Sequence, residues 1–237
     1  MDILDKQIQE FLQDRSSGSQ ALAASALEII YHLFESGNND ARIMNFLEKA
    51  VERFSEMAAI IKLKEHFSDG ITADKIKEFD DLLNNKTYIK NSSYLFDKPK
   101  KIVTFSRSTA VEEVILHYKD MISEVICCHS LPLGEGKAFS IDLQEQGVSS
   151  LLIEDAELSS ILPEADFMLI GADAITEKIF INKVGTLQAV LLAHYLKKEV
   201  YVVSSSLKKI TAQNFPAEKH GHYFEEIHKT FVTNFIY

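Results

Sequence analysis

The spacing of apolar residues changes character near the middle of the chain. In the first part they recur every three to four positions, which is the period of an α-helix. Further on, short apolar runs alternate with helix-like stretches, as in successive βαβ units. We therefore predict a helical N-terminal domain over residues 1–97 and a doubly wound α/β domain with a mostly parallel sheet over residues 98–237.

Helical spacing predicts four helices in the N-terminal domain. The first is indicated by Leu4, Ile8, Phe11 and Leu12. The second is expected to be capped by Ser17 or Ser19 and to end at Gly37. A longer helix is predicted over residues 44–61 and another over residues 76–83, and the polar stretch 84–101 is interpreted as a linker with room for a helical turn.

The α/β half contains short apolar runs bounded by polar loops. Strands are predicted at residues 102–105, 125–128, 151–153, 167–170 and 200–203, with a final strand-like run at 230–236. Helices are predicted between them at residues 111–118, 139–146, near 158, and at 187–196. This alternation places the loops that follow the strands at one edge of the sheet, where open α/β sheets bind ligands.

Composition and charge narrow the classes of function. The net charge of −10, without a basic stripe, argues against nucleic acid as the main partner. No apolar run is long enough to span a membrane, and the acidic, amphipathic N-terminus lacks a secretion signal, so a cytoplasmic location is expected. Adjacent Cys127 and Cys128 point to opposite faces of a strand and are interpreted as buried. No metal-ligand spacing is present, and we expect neither a metal nor a cofactor.

The stretch from residue 167 to 188 carries the most specific chemistry. A fully apolar strand breaks at Gly171 and is followed by Asp173, and a short apolar return then delivers Asn182 and Lys183. Thr186 is expected to cap the next helix. A carboxylate, an amide, an ammonium and a helix N-terminus in one patch suit a phosphorylated polyol. Asp173 closing a plain turn is the alternative interpretation.

The loop after the first predicted strand contains Ser106, Arg107 and Ser108. Thr109 and Glu112 have the spacing of a capping box for the helix that follows. Ser106 and Arg107 lie outside that requirement, and an arginine beside a helix N-terminus favours an anion.

Three further loops follow predicted strands. His129 comes after the second strand, Glu154 and Asp155 after the third, and Lys208 lies in the loop after strand 200–203. Lys208 can reach a phosphate, whereas the two acids are equally well explained as solvated loop residues. Arg107, Ser108, His129, Asn182, Lys183 and Lys208 are therefore the predicted binding residues.

The chain contains, in this order, the motifs IVTFSRSTAVEEVI, LPLGEGKAFSIDLQEQGV, IEDAELS, FMLIGADAI, FINKVGTLQAVLLA and VYVVSSSLK. Together they resemble the translation initiation factor 2B alpha/beta/delta family, and DRSSGSQALAASAL resembles it more weakly. The family includes ribose-1,5-bisphosphate isomerase and methylthioribose-1-phosphate isomerase. The resemblance implies a Rossmann-like C-terminal domain, a sugar-phosphate site next to the helical domain, and a homodimer formed through the C-terminal domains.

The resemblance also assigns catalytic positions, and the sequence departs from them. In the isomerases a cysteine and the GAD aspartate act as the acid/base pair; here they correspond to Ser106 and Asp173. A serine hydroxyl is a much poorer acid or base than a thiol near neutral pH. The family's Glu-Ser-Arg-Pro run starts at His129 here and lacks the arginine.

Three functions follow from these features. The first is a non-catalytic regulatory or ligand-sensing member of the family that binds a phosphorylated sugar or nucleotide, with a protein partner left open. The second is an aldose–ketose isomerase of ribose-1,5-bisphosphate or methylthioribose-1-phosphate type, with altered acid/base residues. The third is an interaction protein whose pocket is a relic. The departure at Ser106 favours the first.

Overall fold

A computed structural model describes residues 3–15, 17–37, 40–215 and 222–237 of the chain. It confirms the predicted fold class, with N-terminal helices followed by a mostly parallel α/β sheet. None of its helices is long and apolar enough to cross a membrane, within the residues described.

The described residues of the N-terminal half form five α-helices around one apolar core. They are α1 (Ile3–Gln13), α2 (Ser19–Glu35), α3 (Asp40–Arg53), α4 (Ala58–His66) and α5 (Ala73–Leu83). Their inward faces bury a continuous set of aliphatic and aromatic residues, with α2 in contact with each of the other four. This packing stabilises helices that would be marginal in isolation.

Two details of the helical half differ from the sequence prediction. The single helix predicted over residues 44–61 is wrong, because the chain breaks between α3 and α4 and Ala58 donates its backbone N–H to the Asp173 carbonyl oxygen at 3.1 Å. The predicted N-cap of α2 is also wrong: Gly18 is the N-cap residue, and neither Ser17 nor Ser19 caps the helix with its side chain.

The α/β half contains the remaining helices and the strands. In chain order these elements are α6 (Thr87–Asn91), β1 (Lys100–Thr104), α7 (Thr109–His117), β2 (Ile122–Cys128), α8 (Glu135–Glu145), β3 (Ser150–Ile153), α9 (Leu158–Ile161), β4 (Phe167–Ile170), β5 (Ala174–Ile175), β6 (Ile179–Lys183), α10 (Thr186–Tyr195), β7 (Glu199–Val203), β8 (Phe224–His228) and β9 (Asn234–Ile236).

The interpretation of residues 84–101 as a linker needs correction. The expected helical turn is present as α6, but Tyr88, Leu95 and Phe96 are buried in the core of the α/β half. The Tyr118 hydroxyl also donates a hydrogen bond to the Ile89 carbonyl oxygen at 2.9 Å. This segment therefore packs on the sheet domain instead of spanning a gap.

Six strands form a parallel sheet in the order β3-β2-β1-β4-β7-β9. On one side of the sheet the chain adds strands in the order β1, β2, β3, and on the other side in the order β4, β7, β9. The direction in which strands are added therefore reverses between β1 and β4. Open α/β sheets bind ligands beyond the carboxyl ends of the strands at such a switch point. Here those ends lead into residues 105–108 and 171–173.

The two faces of this sheet carry separate apolar cores. Helices α7 and α8 cover one face, and α9 and α10 cover the other. Cys127 and Cys128 are free and buried and contribute to opposite cores, as the sequence predicted.

A second, three-stranded antiparallel sheet, in the order β5-β6-β8, was not predicted. Its strand β6 continues the stretch after Asp173 and carries Asn182 and Lys183. Ala174 and Ile181 of this sheet share a small apolar cluster with Ala58 and Ile61 of α4, which joins the two halves of the chain.

Candidate functional site

The site lies where the carboxyl ends of β1 and β4 meet. Gly171 follows β4 and lies against the Ser108 side chain, so that a Cβ atom at position 171 would be 2.4 Å from the Ser108 hydroxyl oxygen. That hydroxyl is buried and has no hydrogen-bond partner in the described part of the chain. The glycine allows the loops after the two strands to approach more closely than any other residue would permit.

Asp173 is held in place through its backbone. Its N–H donates to the Ile181 carbonyl oxygen at 2.8 Å, and its carbonyl oxygen accepts from Ala58 at 3.1 Å. The residue keeps some solvent exposure but is surrounded by protein, and this desolvation raises the pKa of the Asp173 carboxyl. Lys208 and Ser19 oppose that shift, while Glu135 and Glu56 add to it.

Ser19, the first residue of α2, brings the helical half into the site. Its hydroxyl faces the Asp173 carboxyl closely enough to lower the pKa of that group. The geometry falls outside an ordinary hydrogen bond, and this buried hydroxyl has no other partner among the described residues. The N-terminus of α2, whose N-cap is Gly18, therefore lies beside Asp173 without a capping side chain.

Lys208 is the second buried charge of this group. It is 5% exposed, and within the described residues no hydrogen bond or ion pair is found for its ammonium. Burial lowers the pKa of Lys208, and the attraction of Asp173 only partly offsets the effect. A buried cation without a close partner is costly, so its retention favours a role in binding an anion.

Lys183 is buried as well, but it is paired. Its Nζ atom lies 2.6 Å from both carboxylate oxygens of Glu135 and 3.2 Å from the Ser130 carbonyl oxygen. The Ser106 hydroxyl donates to the same Glu135 carboxylate at 2.8 Å. The Glu135 carboxylate thus accepts hydrogen bonds from two predicted site residues, Lys183 and Ser106.

The loops that carry Ser106 and Ser130 are interlocked. The Ser106 N–H donates to the Ser130 hydroxyl at 2.7 Å, and both serines have left-handed backbones, with φ of 65° and 63°. The Asp155 carboxylate accepts from the N–H groups of Ser130 and Leu131 at 2.8 and 2.9 Å. Asp155 therefore supports the loop, and the sequence alternative of a purely solvated acid does not hold for it.

Asn182 is buried, and its amide donates to the Thr186 hydroxyl at 3.1 Å. The prediction that Thr186 caps α10 is wrong, since the N-cap residue is Gly185 and the Thr186 hydroxyl donates back to the Lys183 carbonyl oxygen. The Glu225 carboxylate accepts from the Leu187 N–H at 2.7 Å instead. A carboxylate therefore already occupies the N-terminus of α10, which weakens the case for phosphate there.

Arg107 points elsewhere. Its guanidinium lies 2.6 Å from Asp142 and 3.4 Å from Glu112. The predicted capping box of Thr109 and Glu112 is wrong, because Ser108 is the N-cap residue of α7 and no side chain caps the helix. Arg107 thus pairs with carboxylates of α7 and α8, and no contact joins it to Asp173 in the described structure.

His129 also lies to one side. Its Nδ1 atom is 3.4 Å from Glu154, and its ring lies against Gly134. The structure therefore brings together Asp173, Lys208, Lys183 and Ser106 from the predicted set, with Ser108 at the edge of the group. The Asn182 amide is bound to Thr186 instead.

Sequence reasoning missed four contributors, namely Ser19, Ser130, Glu135 and Glu225. Glu135 had a local signal, because it opens a helix directly after a strand-end loop. In the described part of the chain, no cluster of histidine, cysteine or acidic residues could hold a metal ion.

The sequence model described as the initiation factor 2 subunit family matches residues 6–223. The chain belongs to this family. Its relatives include "Translation initiation factor eIF2B subunit alpha" of Dictyostelium discoideum, which is 33% identical over 110 residues, or 45% of this chain and 34% of that protein. The match thus spans about a third of that relative.

Two archaeal relatives point to different functions within the family. A "Putative translation initiation factor eIF-2B subunit 2-like" protein of Pyrococcus horikoshii is 28% identical over 85% of this chain and 77% of its own length. A "Ribose 1,5-bisphosphate isomerase" of Archaeoglobus fulgidus is 32% identical over 45% of this chain and 35% of its own length.

Solved structures confirm the fold. The crystal structure of Pyrococcus horikoshii eIF-2B matches with a TM-score of 0.86 and 22% identity, and covers 100% of this chain and 95% of that one. A chain of the tetrameric eIF2B-beta2-delta2 complex from C. thermophilum matches with a TM-score of 0.76 and 20% identity, covering 98% and 89%. Members of the initiation factor 2 subunit family thus form oligomers.

Proposed function

We propose that this family member is a non-catalytic, ligand-sensing protein that binds a phosphorylated sugar or nucleotide beside Asp173 and Lys208. The observation that carries the proposal is the buried Lys208 ammonium, which faces Asp173 without a hydrogen bond or ion pair from the described residues. A phosphate oxygen would supply the missing charge-assisted contact.

The surroundings of Lys208 support a phosphorylated ligand with hydroxyl groups. The N-terminus of α2 starts at Ser19 beside Asp173, and its uncapped N–H groups favour an anion. The unpartnered Ser19 and Ser108 hydroxyls can donate or accept, and a carboxyl such as Asp173 recognises sugar hydroxyls.

The state of Ser106 argues against catalysis. Its hydroxyl donates to Glu135 at 2.8 Å, and that carboxylate is itself bound by Lys183. The carboxylate is therefore already engaged by the Lys183 ammonium as well as by the serine hydroxyl. A hydroxyl committed in this way is a poor substitute for the thiol that the family resemblance places at this position.

The test is a calorimetric titration of the protein with ribose 1,5-bisphosphate, 5-methylthioribose 1-phosphate, ribose 5-phosphate and AMP, with ketose formation followed in parallel. We expect binding of at least one compound without turnover. If the wild-type protein binds none of them, the proposal fails and the relic-pocket alternative survives.

One observation favours the isomerase as a second candidate. The pKa of the Asp173 carboxyl is raised by burial, which is the direction needed for a general acid or base near neutral pH. Ketose formation by the wild-type protein, and its loss in Asp173→Asn with binding retained, would establish this candidate in place of the first.

We also propose a homodimer formed through the α/β half. Strand β3 is an edge of the main sheet, and the structure exposes large apolar residues on it and on the neighbouring α8 and the loop after β2. These are Leu131, Leu133, Ile141, Leu151 and Leu152. An exposed apolar group around a free strand edge favours association.

A further inference from the structure

The Lys183 ammonium and the Ser106 hydroxyl are arranged as an anion site, and Glu135 fills it. Both carboxylate oxygens of Glu135 lie 2.6 Å from the ammonium, and one of them accepts the Ser106 hydroxyl at 2.8 Å. Lys183 is 4% exposed, and the side chain of Glu135, its only carboxylate partner in the described residues, is 18% exposed.

Without a ligand, each of the two buried cations of the site already faces a carboxyl group. Lys183 is matched by Glu135, and Lys208 faces Asp173. Glu56 is a third acid close enough to act on Asp173. A ligand with two phosphate groups would bring roughly four negative charges into a group that offers two cations.

We propose that Glu135 limits the site to ligands that carry one phosphate group, because its carboxylate occupies the position in which Lys183 and Ser106 would hold a second one. The inference rests on the proposed function and narrows its ligand class. The single phosphate binds at Lys208 and the N-terminus of α2, while the Lys183 side remains closed by the internal carboxylate.

The backbone fixes Glu135 in this role. Glu135 opens α8, and the next residue, Gly136, lies so close to β2 that a Cβ atom there would be 1.8 Å from the Cys128 carbonyl oxygen. The Gly136 N–H also donates to the His129 carbonyl oxygen at 3.2 Å. This hydrogen bond ties the start of α8 to the loop after β2 and so holds the backbone of Glu135 close to Lys183.

The test uses Glu135→Gln, which keeps the shape of the side chain and removes its charge. Glu145→Gln is the matched control, because this residue lies exposed at the other end of α8. Calorimetry compares ribose 1,5-bisphosphate with ribose 1-phosphate and ribose 5-phosphate. Wild type and control should bind the better monophosphate at least as tightly as the bisphosphate, and Glu135→Gln should bind the bisphosphate about tenfold more tightly than wild type.

A second measurement covers the case in which Glu135→Gln is less stable. Loss of the carboxylate leaves Lys183 buried and unpaired, so inorganic phosphate should raise the melting temperature of this variant by about 3–5 °C more than that of wild type at equal ionic strength. Equal gains in the two proteins would overturn the inference.

The two proposals can fail separately. A wild-type preference for the bisphosphate, or an unchanged ratio of affinities in Glu135→Gln, overturns the role of Glu135 while sugar-phosphate binding stands. Absence of binding in wild type and both variants overturns the proposed function, and the inference with it.

Discussion

Replacement of Lys208 by methionine should make the unliganded protein more stable. The two side chains have similar length, and only the charge is lost. Lys208 is 5% exposed, and burial outweighs the attraction of Asp173 in lowering its pKa. Replacing a whole buried ion pair by apolar groups stabilises by up to about 4 kcal/mol. Here only the cation is removed, but Asp173 can take up a proton because burial already raises the pKa of its carboxyl, so we expect the lower half of that range, roughly 1–2 kcal/mol.

This stabilisation corresponds to an increase in melting temperature of about 2–8 °C for a chain of this size. The sign of the pH dependence follows from linkage. The unfolded lysine holds its proton up to about pH 10.5, whereas the folded one releases it at lower pH. The advantage of Lys208→Met should therefore be complete below the folded pKa of Lys208 and shrink as the pH rises from there toward 10.5.

Lys208→Met should weaken ligand binding although it stabilises the unliganded protein. Loss of one charge-assisted contact costs about 1.5–3 kcal/mol, which weakens binding roughly ten- to 150-fold. Calorimetric titration with whichever sugar phosphate binds the wild type measures this effect, and thermal unfolding measures stability. Lys137→Met is the control, since Lys137 is exposed on α8. A Lys208→Met protein that melts earlier than wild type and binds normally would refute the reasoning.

Three further predictions concern the fold, the assembly and the acid. Gly136→Ala should destabilise the protein by about 3 kcal/mol or more in chemical denaturation, because its Cβ would be 1.8 Å from the Cys128 carbonyl oxygen, whereas Gly18→Ala has open space and should change stability little. Leu151→Lys should shift light scattering toward the monomer, and an unchanged mass would exclude the β3 edge as the interface. Asp173 has a raised pKa, so its stabilising effect is present below about pH 3.8 and is lost as the pH rises through the folded value. Wild type should therefore lose stability relative to Asp173→Asn as the pH rises above about 3.8, and melting temperatures that change with pH in the same way in both proteins would contradict this.

The sequence predicted correctly those helices and strands whose own residue pattern determines their structure. Strand β4 carries four apolar residues that are all buried, as a strand covered on both faces requires. The break between α3 and α4 could not be found in this way, because Val51, Phe54, Ala58 and Ile61 continue the helical spacing through it. That break accompanies the hydrogen bond from Ala58 to Asp173, which is 115 positions away, and local periodicity contains no information about it.

Strand β8 was missed for a similar reason. Its sequence FEEIH has one buried residue and two glutamates, and its conformation is fixed by pairing with β6. At the site, Asp173 and Lys208 were predicted from their positions after strands. Glu135 was not, because its importance depends on Lys183, which lies 48 residues further along the chain.

The short turn at residues 206–208 belongs to both halves of the molecule. The Ser206 carbonyl oxygen accepts a hydrogen bond from Lys62 of α4 at 3.3 Å, Leu207 is buried in the core of the N-terminal helices, and Lys208 faces Asp173. A change in the orientation of the N-terminal helices relative to the sheet would therefore also move the Lys208 ammonium. A ligand that prefers one position of this lysine must favour one arrangement of the two halves. Binding is reciprocal, so a macromolecule that holds the helices in that arrangement raises the affinity for the ligand by the same factor by which the ligand raises the affinity for the macromolecule.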